Sequence, residues 1–270
     1  MAQTEGGLER CDTPSAVTSK QSGSDKDYNF QAMKRPTQLA ALLDFDRELK
    51  TNGANALTTE RHQQLSLFSS PKPSLLVGVD EVGRGCLAGP VMAGAVILPE
   101  IEPDSDFGKQ LSALRDSKQL TANQREKLAC LIKSCALYAF GTVSHEEIDQ
   151  LNILQASLLA MERAVLQVLR STPHKTHDVV VLVDGKKPLK DLAMRQIPIS
   201  LGDTLSASIA AASIVAKVER DKLMLELATL FPGYHLEKNK GYPSKEHREA
   251  VSTMGMSAIH RRSFYCHSSV

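Results

Sequence analysis

The sequence predicts an α/β fold, and three observations carry that expectation. Two short apolar runs, Leu75 to Val79 and Val179 to Val183, have the length and character of buried strands. Ile153 to Leu169 repeats apolar residues at helical spacing, and Ala207 to Leu230 reads as a second, longer helix. Between strand-like runs stand two capping boxes, Thr121 with Gln124 and Ser144 with Glu147, which mark further helix starts. Strands and helices therefore alternate along the chain.

At 270 residues the chain can bury one core of about 200 residues plus an appendage, or two small domains. No run approaches the roughly 18 apolar residues of a membrane helix, and the N-terminus lacks the apolar core of a signal peptide. A cytoplasmic protein without a membrane partner is expected. Five scattered cysteines, none in Cys-x-x-Cys spacing, point to free thiols and not to a disulfide framework or zinc site. A net charge of +1 argues against gripping nucleic acid by bulk charge, so any such binding needs a local basic face.

Residues 1 to about 30 are polar and without apolar period, and are expected to be disordered. Thr37 to Lys50, with Leu39, Leu42, Leu43 and Leu49, predicts a short amphipathic helix forming a small unit or a tether. An apolar pentad, Gln64-Leu65-Ser66-Leu67-Phe68, then stands in a polar segment closed by Pro71 and Pro73.

The strand opening at Leu75 ends in adjacent carboxylates, Asp80 and Glu81, followed by the turn Gly83-Arg84-Gly85. Two neighbouring acids in a low dielectric call for a cation or a shared proton, most often a divalent metal. Glycines let backbone approach a ligand, and the arginine fork matches a phosphate. Because successive strand residues face opposite ways, the strand is predicted to end or bulge at Glu81. A solvated loop with a surface ion pair is the alternative reading of this stretch.

Val91 to Leu98 predicts a second strand, hairpin partner of the first, with Pro90 at its start. Asp116, Ser117 and Lys118 precede the Thr121 helix, Lys118 being either a phosphate contact or part of a turn. Leu128, Leu131, Ile132 and Cys135 form that helix's inward stripe, and Leu137 to Val143 predicts the third strand. The strand at Val179 ends in Asp184-Gly185, again a carboxylate at a buried strand's end. A weaker strand near Ile197 to Leu201 leads to Gly202-Asp203, where Asp203 is either a helix N-cap or a site residue, with Ser206 and Ser208 competing to cap. Lys217, Arg220 and Asp221 read as a solvated or ion-paired helix face. Beyond Pro232, Lys238, Lys240, Lys245, Arg248, Arg261 and Arg262, interleaved with His235, His247, His260, Tyr234 and Tyr242, predict a nucleic-acid face on a helix from Lys245 to about Met254. The organisation expected is an extension and linker over 1–72, a catalytic core over 73–232 and a basic helical region over 233–270.

Over about residues 75 to 265 the sequence resembles the ribonuclease HII (type 2 ribonuclease H) family. The matching motifs are GVDEVGRGCLAGPV at Gly78 to Val91, DSKQL at Asp116 to Leu120, DQLNILQAS at Asp149 to Ser157, LVDG at Leu182 to Gly185, SIAAASIVAKVERD at Ser208 to Asp221, NKGYPSKEH at Asn239 to His247 and HRRSF at His260 to Phe264. Cys86 stands where proline is usual, and Leu201 where a lysine often precedes the Gly-Asp pair. The resemblance implies a ribonuclease H-like fold, with a five-stranded mixed sheet flanked by helices and a helical C-terminal region. It implies cleavage of the RNA strand of RNA/DNA hybrids and nicking 5′ of a single ribonucleotide in duplex DNA. It further implies metal-binding catalytic carboxylates at Asp80, Glu81, Asp184 and Asp203, holding two Mg²⁺ or Mn²⁺ ions about 4 Å apart. Gly83, Arg84 and Gly85 would read the 2′-hydroxyl, Tyr242 would pack on the sugar, and Lys118 and Arg262 would contact the substrate. A monomer is expected. A non-catalytic hybrid-binding module would not need four acids, whereas a ribonuclease requiring several ribonucleotides in a row remains the alternative within enzymes.

Gln64, Leu65, Leu67 and Phe68 resemble the QL(S/D)LF peptide by which bacterial replication and repair proteins dock on the DNA sliding clamp. The alternative is that these residues pack on their own chain.

Overall fold

The computed structural model describes residues 38–52, 75–114, 120–172 and 178–264. In chain order these form α1 (Gln38–Asn52), β1 (Leu75–Val82), β2 (Val91–Ile97), α2 (Asp106–Gln110), α3 (Ala122–Cys135), β3 (Leu137–Val143), α4 (His145–Leu151), α5 (Ile153–Leu169), β4 (Val179–Asp184), β5 (Arg195–Ile199), α6 (Ala207–Leu230), α7 (Leu236–Asn239) and α8 (Lys245–Met254). The segment 1–30, the pentad at Gln64 to Phe68 and Lys118 lie outside the described residues.

The five strands make one mixed sheet in the order β3-β2-β1-β4-β5. β1, β2 and β3 form an antiparallel meander, while β4 runs parallel to β1 and β5 parallel to β4. β1 is thus the strand where the antiparallel half meets the parallel half. One sheet face is covered by α5, whose Ala156, Ala160, Met161 and Ala164 pack on Val77, Val79, Val181 and Val183. Small residues on that helix let it lie close: a Cβ at Gly141 of β3 would stand 2.0 Å from the Ala160 carbonyl oxygen.

The other face belongs to α6, and here too backbone meets backbone. A Cβ at Gly78 would lie 2.2 Å from the Ser208 carbonyl carbon, and one at Gly94 would lie 2.7 Å from the Ala212 oxygen. The alanine-rich first half of α6 therefore rests directly on β1 and β2. Ser206 caps the helix by accepting from the Ile209 N–H at 3.2 Å.

Helix α1 does not stand apart as a tether. Leu39, Leu42, Leu43 and Leu49 are buried in the cores that α6 also lines. Asp46, buried on the same face, accepts from both the N–H (2.9 Å) and the hydroxyl (2.7 Å) of Ser208. Burial raises the Asp46 carboxyl to about 6 against these hydrogen bonds. Beyond α6, a separate small cluster of Ala88, Met224, Tyr234, Leu236, Val251 and Ile259 joins the C-terminal helices to the segment after β1. No helix among the described residues is long and apolar enough to cross a membrane.

Candidate active site

Sheet register brings the acids together. β1 and β4 pair in parallel from Leu75–Val179 to Val79–Val183, so Asp80 and Asp184 follow the last pair on neighbouring strands. Both point to the α6 side, in alternation with Gly78 and Leu182. β1 neither ends nor bulges at Glu81, contrary to the sequence expectation: it stays paired with β2 through Glu81–Ala93 and Val82–Met92. What ends is the pairing with β4, at Val79. Past that point the edge of β1 is open, and the longer Glu81 side chain reaches over it. One carboxylate oxygen from each of Asp80, Glu81 and Asp184 lies within 4.8 Å of the others.

Asp203 enters the same cleft from the 3-10 turn Gly202–Thr204. It is buried and is not the α6 cap, a task done by Ser206, which removes the competing reading of this residue. The turn is tied to the strand below it, since the Gly202 N–H donates to Asp184 Oδ1 at 2.7 Å.

Like charge is concentrated here. Burial pushes the Asp80 carboxyl well above its ordinary range, and Glu81, Asp184 and Asp203 push the same way, against a hydrogen bond from Ser213. Glu81 is also raised by burial, offset in part by Arg84, whose Nη1 lies 3.1 Å from Glu81 Oε1. The donor set consists of oxygens only, the hard ligands that suit Mg²⁺, Mn²⁺ or Ca²⁺ over Zn²⁺. A divalent cation fits these residues.

The cleft, about 250 Å³, is lined by the four acids together with Val82, Gly83, Arg84, Gly85, Arg125, Ser213, Lys217 and Tyr242. A larger groove of about 520 Å³ runs along α3, lined by residues such as Ala113, Leu128 and Leu131, but contains no acid or histidine. Chemistry therefore belongs to the smaller cleft. Tyr242 is part-exposed at its wall, with Lys217 Nζ 5.4 Å from the ring centroid.

Two buried arginines that the sequence reading placed on surfaces hold the cleft wall. Arg220 was expected on a solvated helix face, yet it is fully buried and donates to the carbonyls of Pro90 (3.0 Å), Lys240 (2.9 Å) and Ala88 (3.4 Å). Gly83, at φ +92°, abuts it: a Cβ there would stand 2.2 Å from Arg220 Nε. Arg261, expected on the basic face, is buried and donates to the Gly89 and Arg84 carbonyls, both at 2.9 Å. His247, His260 and Tyr234 are buried as well, so the C-terminal region presents fewer of its interleaved residues than expected. Irregular backbone from Gly83 to Pro90 lacks sheet partners for its carbonyls, and planar five-donor guanidinium groups meet that need.

Gly83, Arg84, Gly85 and Tyr242 thus converge with the acids, and Arg262 does not. Its side chain is exposed and absent from the cleft lining, while its N–H donates to Asp149 Oδ2 at 2.9 Å. Sequence reasoning missed Arg125 and did not place Lys217 in the cleft. Arg125 donates to the Leu120 carbonyl at 2.8 Å, and Lys217 pairs with Asp221 at 2.7 Å.

A five-stranded mixed sheet with helices on both faces and a carboxylate cluster where its central parallel strands end defines a protein of the ribonuclease H-like class. The family model described as Ribonuclease HII matches residues 77–267. The ribonuclease HII of Zymomonas mobilis is 49% identical over 191 residues, 70% of this chain and 84% of that protein. A ribonuclease H2 structure from Pyrococcus horikoshii superposes with a TM-score of 0.53 at 27% identity, covering 70% of this chain and 93% of that one. The ribonuclease HII in a complex with PCNA from Archaeoglobus fulgidus superposes with a TM-score of 0.54 at 22% identity, covering 73% and 98%. The chain belongs to the ribonuclease HII family and is a ribonuclease H, an endonuclease acting on RNA/DNA substrates.

Proposed function

We propose that this enzyme uses divalent metal to cut the RNA strand of RNA/DNA hybrids and to nick duplex DNA 5′ of a single embedded ribonucleotide, leaving a 3′-hydroxyl and a 5′-phosphate. Such a nick serves removal of ribonucleotides and primers in replication and repair. The observation that carries this reading is the convergence of three carboxylates within 4.8 Å beside the Gly83–Gly85 backbone and the Tyr242 ring.

Asp80, Glu81, Asp184 and Asp203 are the residues that would hold the metal. Two ions, Mg²⁺ or Mn²⁺, supply an activated water and stabilise the leaving 3′-oxygen when bound. The chain's own groups do the selecting. Backbone N–H and C=O groups of Gly83 to Gly85 face the ribose, where the 2′-hydroxyl is both donor and acceptor and is what separates RNA from DNA. Tyr242 packs on the sugar beside the scissile bond, which demands a fixed ring more than a charge. Arg84 meets a phosphate with its fork, and Lys118 and Arg262 contact the flanking backbone.

The experiment compares a duplex carrying one ribonucleotide with one carrying a run of four, at matched metal concentration. Nicking of both, 5′ of the single ribonucleotide, is the expected result. Cleavage of the run alone would make this a hybrid-only ribonuclease.

The segment Gln64 to Phe68 supplies a second element of the reading, a docking peptide for the bacterial sliding clamp through Leu65, Leu67 and Phe68. Its support is the match to the clamp-binding pattern, in a segment where tethering raises local concentration on DNA. A peptide spanning Arg61 to Pro71 is expected to bind the clamp, and the same peptide with Leu67 and Phe68 changed to alanine is expected to fail. Equal or undetectable binding by both ends the idea.

A further inference from the structure

His247, whose Nδ1 meets the Tyr242 carbonyl, and His260 are both buried and place their Nε2 atoms 3.1 Å apart. Neither ring serves the chemistry described above. Their outer nitrogens have opposite kinds of partner. His260 Nδ1 faces the Ser257 N–H at 3.0 Å, with the Ser257 hydroxyl at 2.7 Å, and a backbone N–H can only donate. His260 Nδ1 is therefore the acceptor, and the ring's single proton sits on Nε2. That proton is directed at His247 Nε2, which must accept it, so the His247 proton sits on Nδ1. There it meets the Tyr242 carbonyl at 2.9 Å, which can only accept. The tautomers of both rings follow from the two ends of the chain, and each ring is neutral: a further proton on His247 would set two N–H groups against each other across 3.1 Å, and one on His260 would face the Ser257 N–H at 3.0 Å.

The two ends matter. Tyr242 O, which also accepts from the Ser244 N–H at 2.8 Å, belongs to the turn that aims the tyrosine ring. His260 bridges to Ala88, and its neighbours bind the same segment, Gly89 N–H to Ile259 O at 2.9 Å and Arg261 N–H to Leu87 O at 2.8 Å. Leu87 N–H in turn donates to Gly241 O at 2.7 Å, closing the circuit one residue before Tyr242. Tyr234 packs against both imidazoles, tilted at 4.8 Å between centroids to His260 and edge-on at 6.4 Å to His247.

We propose that His247 and His260 are positioning residues: a proton-ordered imidazole pair that fixes the Tyr242 turn relative to the Gly83–Pro90 loop, so that ring and backbone meet one ribose at a set spacing. This rests on the reading of Tyr242 as the residue that packs on the sugar. A ring displaced by an ångström can still enter the cleft but no longer packs on the sugar as the 2′-hydroxyl is read, so specificity suffers before binding does.

The test is a double-mutant cycle on the single-ribonucleotide duplex, run in the full chain. Tyr242→Ala alone is expected to lower kcat/KM about tenfold or more. His247→Leu, which removes the donor to the Tyr242 carbonyl, is expected to lower it about tenfold in the native background and less than about twofold beside Tyr242→Ala. His247→Asn keeps an N–H near the Nδ1 position and is expected to recover most of the loss. Nitrogen-15 spectra of the native protein should show His247 protonated on Nδ1 and His260 on Nε2. If Tyr242→Ala is without effect, the reading of Tyr242 fails and takes the proposal with it. If Tyr242→Ala is damaging but the His247→Leu loss simply adds to it, or His247→Asn is as impaired as His247→Leu, or the tautomers are reversed, Tyr242 keeps its role and the proposal alone is overturned. Should His247→Leu fail to fold, the tautomers and His247→Asn decide: near-native activity of His247→Asn with the stated tautomers upholds the proposal, and a damaged His247→Asn or reversed tautomers overturn it.

Discussion

At the ends of β1 and β4 three carboxylates crowd within 4.8 Å of one another, whereas against the Gly83–Pro90 loop Arg220 and Arg261 are buried among backbone carbonyls. Both regions bury charge. In the first, neighbouring acids raise each other's affinity for protons, so the site is built to be completed by a cation from outside. In the second, the guanidinium hydrogen bonds go to backbone carbonyls outside the strands, so the charge is absorbed as scaffold. A buried charge facing its own kind marks chemistry, and one facing carbonyl oxygens marks architecture.

The sharpest way to break this contrast is to neutralise one acid. Asp184→Asn is expected to lower cleavage at matched metal by about a thousandfold or more. The metal-free protein should keep its melting temperature or rise slightly, because a repulsive charge is removed while the Gly202 N–H keeps an oxygen acceptor. A large drop in melting temperature would show that the acid cluster is scaffold after all.

Arg220→Met tests the opposite region. It strands the Pro90, Lys240 and Ala88 carbonyls, and is expected to lose about 3 kcal/mol or more in urea denaturation. Arg220→Lys should recover little, since one ammonium cannot span three acceptors. Stability near that of the native chain, with activity lost, would move Arg220 from architecture to chemistry.

Acid sharpens the contrast further, through the histidine pair that lies within the scaffold. Burial, and secondarily His247, lower the His260 ring from 6.5 to about 4; burial lowers His247 too, with His235 bearing on His247 and His145 on His260. In the unfolded chain these rings protonate near 6.5, so their contribution is fully present above that pH. As pH falls from about 6.5 towards 4 the unfolded state takes up protons that the folded state resists, and stability is lost. Melting curves near pH 7 and near pH 5 should therefore diverge more for the native chain than for His260→Gln.

The smallest effect is expected at Leu201, which is 72% exposed beside the Asp203 turn and holds a left-handed φ of 57°. Leu201→Lys should leave stability within about 0.5 kcal/mol. It should lower KM about twofold at low salt, an advantage that fades as salt is added. No change in KM at any salt would separate this position from the substrate's path.

Much of the architecture was legible in residues close together in sequence. The bounds of α5 follow from its apolar spacing, α6 and α8 fall where the sequence places them, and both capping boxes, at Thr121 and at Ser144, are formed as expected. Such signals act within a turn of helix, so a string of letters contains them. Short α2 and α7 escaped because four or five residues carry no period, although Ser105, accepting from the Gly108 N–H, was a cap in plain view for α2. The acids stood out because a carboxylate at the end of an apolar run is expensive wherever that run is buried.

What only the tertiary structure decided is where those charges ended up relative to one another. The identity of Asp80, Glu81, Asp184 and Asp203 was in the sequence, but their meeting depends on the parallel register of Val79 with Val183 and on β4 ending where β1 goes on. The sequence by itself could not tell the buried Arg220 from the ion-paired Lys217 three residues before it on the same helix. Nor could it show that α1 would seat Asp46 against the start of α6. A residue's own type sets what its burial demands, whereas the strand, loop or carbonyl that meets the demand comes from elsewhere in the chain, and only the folded arrangement brings the two into contact.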